Sequence, residues 1–536
     1  MPDILLIQPP VRDFYLTVKR TIPYGPACLA ASLIRSGFSV AILDALATSK
    51  VRDLKMPSGM DYLHPFYKKA DFSPFALFHR FRHFGYSFEH IGNQARQSGA
   101  FLVGISSLFT AYSAEALETA RMVKKFHPDC RIVMGGHHPT NLPEAVMECK
   151  SVDFLIRGEG EAALPLLAES LKEGRSLKDI PGIVFRKNSG LHISPPTFME
   201  NPDDFPLPAL HLIRQHYYRR KGRGSAVIVS SRGCPMKCSY CAVGASSALR
   251  YRRRFVISVL REIGQAVKEH DAGFIDFEDE NLTLHKEWFL GLLKGIREEF
   301  GASALELRAM NGLFPPSLDE EVICAMKQSG FRTLNLSLGS LSAEQLRRFR
   351  RPDVRPALEN AIVLAEKYGL ETVCYIIVGA PGQNAEDSVR DLLYLFQKNV
   401  LAGISVWYPA PGSEDYEKAR QQGLLPDSYA RMRSSTLPLA RARNDAVTLL
   451  RLGRIANFMK ALRDRGENIP SPAPCPPEMH IKTFSRHENG RELLRFFLYD
   501  GKIRGISREG EIFEHQTAPK LSQIFLSGLG LSQCRK

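Results

Sequence analysis

Gly224-Ser-Ala-Val-Ile-Val-Ser-Ser-Arg-Gly-Cys-Pro-Met-Lys-Cys-Ser-Tyr-Cys241 decides how this chain is read. Its first half is a short apolar run that predicts a buried strand. Its second half sets Cys234, Cys238 and Cys241 in a CxxxCxxC spacing directly after the strand end. Three thiolates on one tight loop can hold three irons of a [4Fe–4S] cluster and leave the fourth iron open. A structural zinc site needs four ligands, and no second CxxC pair stands elsewhere to complete one. The other cysteines (Cys28, Cys130, Cys149, Cys324, Cys374, Cys475 and Cys534) are scattered singly, as inert packing thiols are.

Working outward, 536 residues suggest three or four domains with ample core. A 24% charged and 9% aromatic composition is that of a folded globular chain and excludes wholesale disorder. No uncharged apolar run approaches the ~18 residues of a membrane span. The opening Met1-Pro-Asp-Ile-Leu-Leu-Ile-Gln-Pro-Pro10 reads as a first strand rather than a signal peptide, so a cytoplasmic location is expected. Ten cysteines are too sparse for a disulfide scaffold, which favours metal or catalytic roles where they cluster.

Tyr240, immediately before the third cysteine, completes the CxΦC pattern of the radical S-adenosylmethionine (radical SAM) superfamily, which this stretch resembles. The resemblance implies that the open iron chelates the amino and carboxylate groups of S-adenosylmethionine, with Tyr240 near the adenine. Downstream, strand-like runs alternate with amphipathic helices, as in a parallel (β/α) barrel. Phe274-Ile-Asp-Phe277 leads into an acidic turn of Glu278, Asp279, Glu280 and Asn281, where relatives bind the cofactor's amino group. Thr333–Leu338 and Thr372–Val378 are further strands. The second ends in Gly379-Ala-Pro-Gly382, similar to the family's GxPG turn and placing Gly379, Pro381 and Gly382 at the cofactor. Val406-Trp-Tyr-Pro-Ala-Pro-Gly-Ser413 matches the late PxPGT/S strand end. One departure stands out: relatives carry GxESGS after the fourth strand, and here Ser337-Leu-Gly-Ser-Leu-Ser342 puts Gly339 where the Glu belongs.

The N-terminal third carries spaced strands at Ile4–Ile7, Val40–Leu43, Phe101–Ile105 and Arg131–Met134, with helical patterns between them. This predicts a doubly wound, flavodoxin-like domain whose strand-end loops share one edge. Those loops carry Asp44, Ser106-Ser-Leu108 and Gly135-Gly136-His-His138. Together they resemble the cobalamin-binding domain fused to many radical SAM enzymes, whose signature combines DxHxxG, SxL and GG. Ser106 with Leu108 meets SxL, and Gly135 with Gly136 meets GG. Pro23–Pro26, Phe84–Ser87 and Val152-Asp-Phe-Leu-Ile-Arg-Gly-Glu-Gly-Glu161 extend the resemblance over nearly all of residues 1–170. No His follows Asp44, so the resemblance implies cobalamin bound without a histidine axial ligand; His137 and His138 sit in another loop. The segment between Asp44 and Ser106 is long for a connection, and its aromatics between Phe72 and Tyr86 are expected to pack one or two extra helices.

The domain reading is therefore a cobalamin-binding-like domain over 1–175, a linker over 176–215, a radical SAM barrel over 216–430 and a small α+β region over 431–536. In that tail, Val447–Leu462 predicts a helix and Phe496–Ile506 a β-hairpin turning at Asp500-Gly501. The expected function is reductive cleavage of S-adenosylmethionine to a 5′-deoxyadenosyl radical that modifies an unactivated carbon of a small molecule, by methylation. Rival readings are a radical SAM cyclase or rearrangement enzyme, a methylthiotransferase, and, outside enzymes, an iron–sulfur redox sensor or electron carrier. Charge adds a partner. Twelve Lys and Arg and no acid lie between Arg214 and Arg261, against a net charge of +14 for the whole chain. A basic face around the cysteine loop would suit an acidic flavodoxin or ferredoxin reductant, whereas no nucleic-acid module is present.

Overall fold

The apolar runs of the N-terminal third become one sheet in the computed structural model, which describes residues 1–15, 21–67, 69–78, 80–187, 190–245, 250–476 and 485–530. Ile4–Gln8, Val40–Asp44, Leu102–Ser106, Arg131–Gly135 and Phe154–Ile156 are mutually parallel. Their spatial order in chain numbering is 2-1-3-4-5, the flavodoxin-like arrangement. Ile4 and Leu6 point into one apolar layer and Leu5 and Ile7 into the other, which is why these strands are apolar at every position.

The stretch 176–215 is more than a linker. Ile183–Lys187 extends the same sheet antiparallel to Phe154–Ile156, and Gly190–Ile193 pairs antiparallel with Ile183–Lys187 at the edge. The Pro181-Gly182 punctuation is a turn into this sheet edge: Gly182 has φ +69, and a Cβ there would lie 2.4 Å from the Arg157 carbonyl oxygen. The long insert also departs from expectation. Besides short helical turns, Phe81–Phe84 pairs with Val51–Leu54 on one side and Val11–Asp13 on the other in a three-stranded antiparallel sheet. Its aromatics do pack: Tyr67, Phe75 and Phe81 are buried in the apolar core they share with the second domain.

That second domain is an open barrel of six parallel strands. Arg223–Ile228, Ala272–Phe277 and Glu306–Arg308 form one half, and Thr333–Gly339, Glu371–Val378 and Leu401–Val406 the other. Single bridges, Leu307 to Phe331 and Leu313 to Leu336, span the seam between them. Amphipathic helices such as Val256–His270 and Ala385–Gln397 cover the outside.

Helix Arg443–Asp464 closes the last barrel strand. The expected hairpin at Asp500-Gly501 is instead a helix end. Arg486–Asp500 starts at a capping box between Ser485 and Glu488 and stops on Gly501 at φ +75. The hairpin lies just beyond, pairing Arg504–Ile506 with Ile512–Glu514. Cys534 lies outside the described residues. No helix among the described residues is long and apolar enough to cross a membrane.

Candidate active site

The cysteine loop leaves the first barrel strand through a narrow neck, where Ser231–Arg232 pairs antiparallel with Arg252–Arg253. Cys238 is buried, and Cys234 and Cys241 are half-buried. Burial pushes the Cys234 thiol up, an effect opposed by a contact from Asn281 Nδ2 at 3.9 Å. Ser239 fastens the loop: its N–H donates to the Phe349 carbonyl at 3.1 Å and its hydroxyl to the Arg348 carbonyl at 2.9 Å. No group of three His, Cys, Asp or Glu side chains among the described residues converges on a single-ion position. The donor set itself, three thiols on one loop, fits three corners of a [4Fe–4S] cluster and is one ligand short of a structural zinc site.

The acidic turn divides into different jobs. Asp279 is buried and fully used, accepting from the Ser230 hydroxyl at 2.7 Å, the Ser231 hydroxyl at 2.5 Å and the Ser230 N–H at 3.2 Å. These bonds anchor the neck of the cysteine loop. Glu280 accepts from the Gly233 N–H at 3.1 Å, beside Cys234. Asn281 reaches the loop itself, and Glu278 is exposed at its margin.

At the fourth strand, Gly339 has φ +83, and a Cβ there would lie 3.3 Å from both Cδ and Nε of Arg351. The space of the missing Glu is thus bordered by a guanidinium. Arg351 Nη1 donates to the Tyr240 hydroxyl at 2.8 Å, and Nη2 to the Ser337 carbonyl at 3.0 Å. The Tyr240 ring packs edge-on against Phe349, with centroids 4.9 Å apart. The Gly379–Gly382 turn stands close by, with Arg348 donating to the Gly382 carbonyl. Sequence reasoning missed Arg348 and Arg351, since a run of arginines at a helix end carries no local signal.

On the N-terminal domain the SxL and GG loops are neighbours. Ser106 aligns with Gly135, and the Ser107 N–H donates to the Gly135 carbonyl at 2.8 Å. Gly136, at φ +124, leaves a would-be Cβ 2.5 Å from the Ser107 oxygen, so only glycine fits. Leu108 stays 43% exposed at the rim. Asp44 has another occupation: buried, it accepts from Leu46 N–H at 2.9 Å, from Gln8 at 3.1 Å and from the Tyr218 hydroxyl of the second domain. His138 is buried against Tyr429 with Nδ1 3.2 Å from the Thr110 hydroxyl, and burial pushes its pKa down to about 4.

This edge faces the barrel mouth. A Cβ on Gly412, in the late strand-end motif, would lie 2.4 Å from Asn141 Oδ1, just after the GG loop. Glu159 accepts from Arg252 at 2.9 and 3.0 Å and pairs with Arg232 at 3.3 Å, while Glu161 pairs with Arg232 at 2.6 Å. Six of the twelve cations in the basic stretch are therefore paired with acids from outside it. Arg254 meets Glu262 and Asp203, Arg219 and Arg223 meet Asp271, and Lys221 meets Glu306.

Family models match both halves: the radical SAM superfamily over residues 228–395 and the B12 binding domain over 18–168. The chain belongs to the cobalamin-binding radical SAM enzymes. This radical SAM chain is 27% identical over 430 residues to an uncharacterized methyltransferase of Pyrococcus horikoshii, covering 79% of this chain and 84% of that one. It is 28% identical over 297 residues to the anaerobic magnesium-protoporphyrin IX monomethyl ester cyclase of Rubrivivax gelatinosus, covering 53% and 52%. In fold it is similar to the radical SAM methyltransferase TsrM of Kitasatospora setae, solved with cobalamin and a [4Fe–4S] cluster, at TM-score 0.58 and 19% identity over 79% of this chain and 75% of that one.

Proposed function

We propose that this enzyme methylates an unactivated carbon of a small molecule. The apposition of the SxL and GG loops to the barrel mouth, through Asn141 and Gly412, carries the reading, because it sets the two cofactor platforms facing each other. Cys234, Cys238 and Cys241 would hold the cluster; Tyr240, Glu280, Asn281, Gly379, Pro381 and Gly382 would line S-adenosylmethionine. Ser106, Leu108, Gly135 and Gly136 would cradle cobalamin. When bound, these groups supply a 5′-deoxyadenosyl radical and a transferable methyl group. The chain's own part is to position them and keep water out. Leu108, Phe109, Met310 and Tyr408 support that part, being large apolar side chains 41–55% exposed at strand ends of the two domains. Anaerobic reconstitution followed by 5′-deoxyadenosine and product-mass analysis tests the reading. A product that gains no methyl group sinks it in favour of cyclase chemistry.

Gly136→Ala should weaken cobalamin binding about 5- to 150-fold through ~1–3 kcal/mol of loop strain, read by absorption titration with helix content unchanged. Unaltered affinity would remove this loop from the cobalamin site.

Reductive cleavage also needs an electron from outside. Arg253 and Arg261 are exposed and form no ion pair among the described residues, and they flank Phe255 and Ile257, 65% and 54% exposed. This apolar centre with a basic rim suits an acidic flavodoxin or ferredoxin. Arg253→Glu with Arg261→Glu should slow flavodoxin-driven turnover about tenfold and leave dithionite-driven cleavage intact. Equal rates with flavodoxin would discard the surface.

A further inference from the structure

We infer that Asp391 is a positioning residue of the S-adenosylmethionine site, an inference resting on the function proposed above. As a carboxylate it fixes the turn after the fourth barrel strand from behind, so the cofactor binds best when Asp391 is ionised.

Asp391 is buried on the outer helix Ala385–Gln397, and both its oxygens are spent on that turn. Oδ1 accepts from the Leu341 N–H at 2.8 Å, and Oδ2 from the Ser340 hydroxyl at 2.9 Å. Neither donor lies in a helix or a strand. Arg355 Nη2 donates to the Leu341 carbonyl at 3.1 Å, so Leu341 is gripped at both its polar backbone groups. The hold passes inward by further hydrogen bonds. The Ser340 oxygen accepts from the Ser342 N–H at 3.2 Å, and Ser342 in turn caps helix Ala343–Phe349 by accepting from the Gln345 N–H. The far end of that short helix offers the Arg348 and Phe349 carbonyls, which hold Ser239 of the cysteine loop. The turn itself starts at Gly339, whose vacant side-chain space borders Arg351 and, through it, Tyr240. A carboxylate outside the barrel thus sets one wall of the cofactor site.

Ionisation at this place weakens the fold. Burial, with Asp387 of the same helix beside it, pushes the Asp391 pKa up to about 6, while its two hydrogen bonds and Arg355 pull the other way. The other group facing it is the buried Cys374 thiol of strand Glu371–Val378, held neutral by its own burial. A raised carboxyl pKa means that the ionised form destabilises the folded chain. The effect sets in above about pH 4, the ordinary aspartate value, and is complete above about pH 6. A charge that lowers stability is characteristic of a functional site. Its work here is to make both hydrogen bonds to the turn charge-assisted, hence shorter and stiffer than neutral ones.

The test measures S-adenosylmethionine dissociation constants from about pH 5.5 to about pH 8 on anaerobically reconstituted wild type and Asp391→Asn. Asparagine keeps the shape and one acceptor, as the protonated acid does. At pH 8 the variant should bind about tenfold more weakly, the low end for a hydrogen bond to a charged group. Toward pH 5.5 that gap should narrow to about threefold, because wild type becomes protonated and the variant does not titrate. Taking the ratio of the two cancels the titration of the cofactor itself. Iron content should be equal, and the thermal midpoint of Asp391→Asn at pH 8 should match or exceed that of wild type. A gap that is absent, or that does not change with pH, overturns the assignment. Midpoint and iron content falling together in the variant also overturn it, and make Asp391 a structural tie. Wild-type protein with full iron that binds no S-adenosylmethionine at any pH would overturn the proposed function itself, and this inference with it.

Discussion

A Cys234→Ala, Cys238→Ala, Cys241→Ala variant, reconstituted anaerobically, will carry only background iron and sulfide and will release no 5′-deoxyadenosine. No other described thiol is placed to rescue it. Burial pushes Cys28 up to about 12, Cys130 to about 11 and Cys374 to about 12, which keeps them protonated and poor as ligands. The loop itself is held independently of the thiols, by Ser239 on the Arg348 and Phe349 carbonyls and by the Asp279 grip on Ser230 and Ser231. The variant should therefore fold, with wild-type circular dichroism and cobalamin titration. Full iron content in the triple variant would show that the cluster site is elsewhere.

Glu159→Ala should give the largest structural effect of any single change at the domain junction. One carboxylate there accepts from both arginines of the loop's neck and from the Met199 N–H at 2.7 Å, with its side chain 13% exposed. Removing it leaves Arg232 with Glu161 alone and Arg252 without a counter-ion. Breaking a buried pair from one side costs about 3–5 kcal/mol, so thermal unfolding should move down by on the order of 5 °C and reconstituted iron should fall. Glu159→Gln, which keeps the shape and one acceptor, should lose less. A midpoint within a degree of wild type for Glu159→Ala would show that the junction does not depend on this carboxylate.

The cysteine loop could be read from the sequence because its donors lie within eight residues, and the N-terminal sheet because each strand is a contiguous apolar run. Contacts that span the chain could not. Tyr240 and Arg351 are 111 residues apart, and Glu159 and Arg252 are 93 apart. The basic stretch looked like a free surface for the same reason, since Glu159, Glu161, Asp203, Asp271 and Glu306 all lie outside it. The Asp500-Gly501 pair failed differently. A glycine after an aspartate serves a hairpin turn or a helix terminus equally well, and the capping box fifteen residues upstream was the signal that decides between them.

Glu159 and Glu161 also bear on how such enzymes can be recombined. The two domains look separable, each with its own sheet and its own family signature, and a chimaera joined between them seems a natural way to give one barrel a different partner. Here the loop after Phe154–Ile156 supplies the counter-charge for the other half's cluster neck. A grafted N-terminal domain must bring an equivalent pair of carboxylates in register with Arg232 and Arg252, or those arginines must be exchanged with it. The unit of inheritance is the pair of domains.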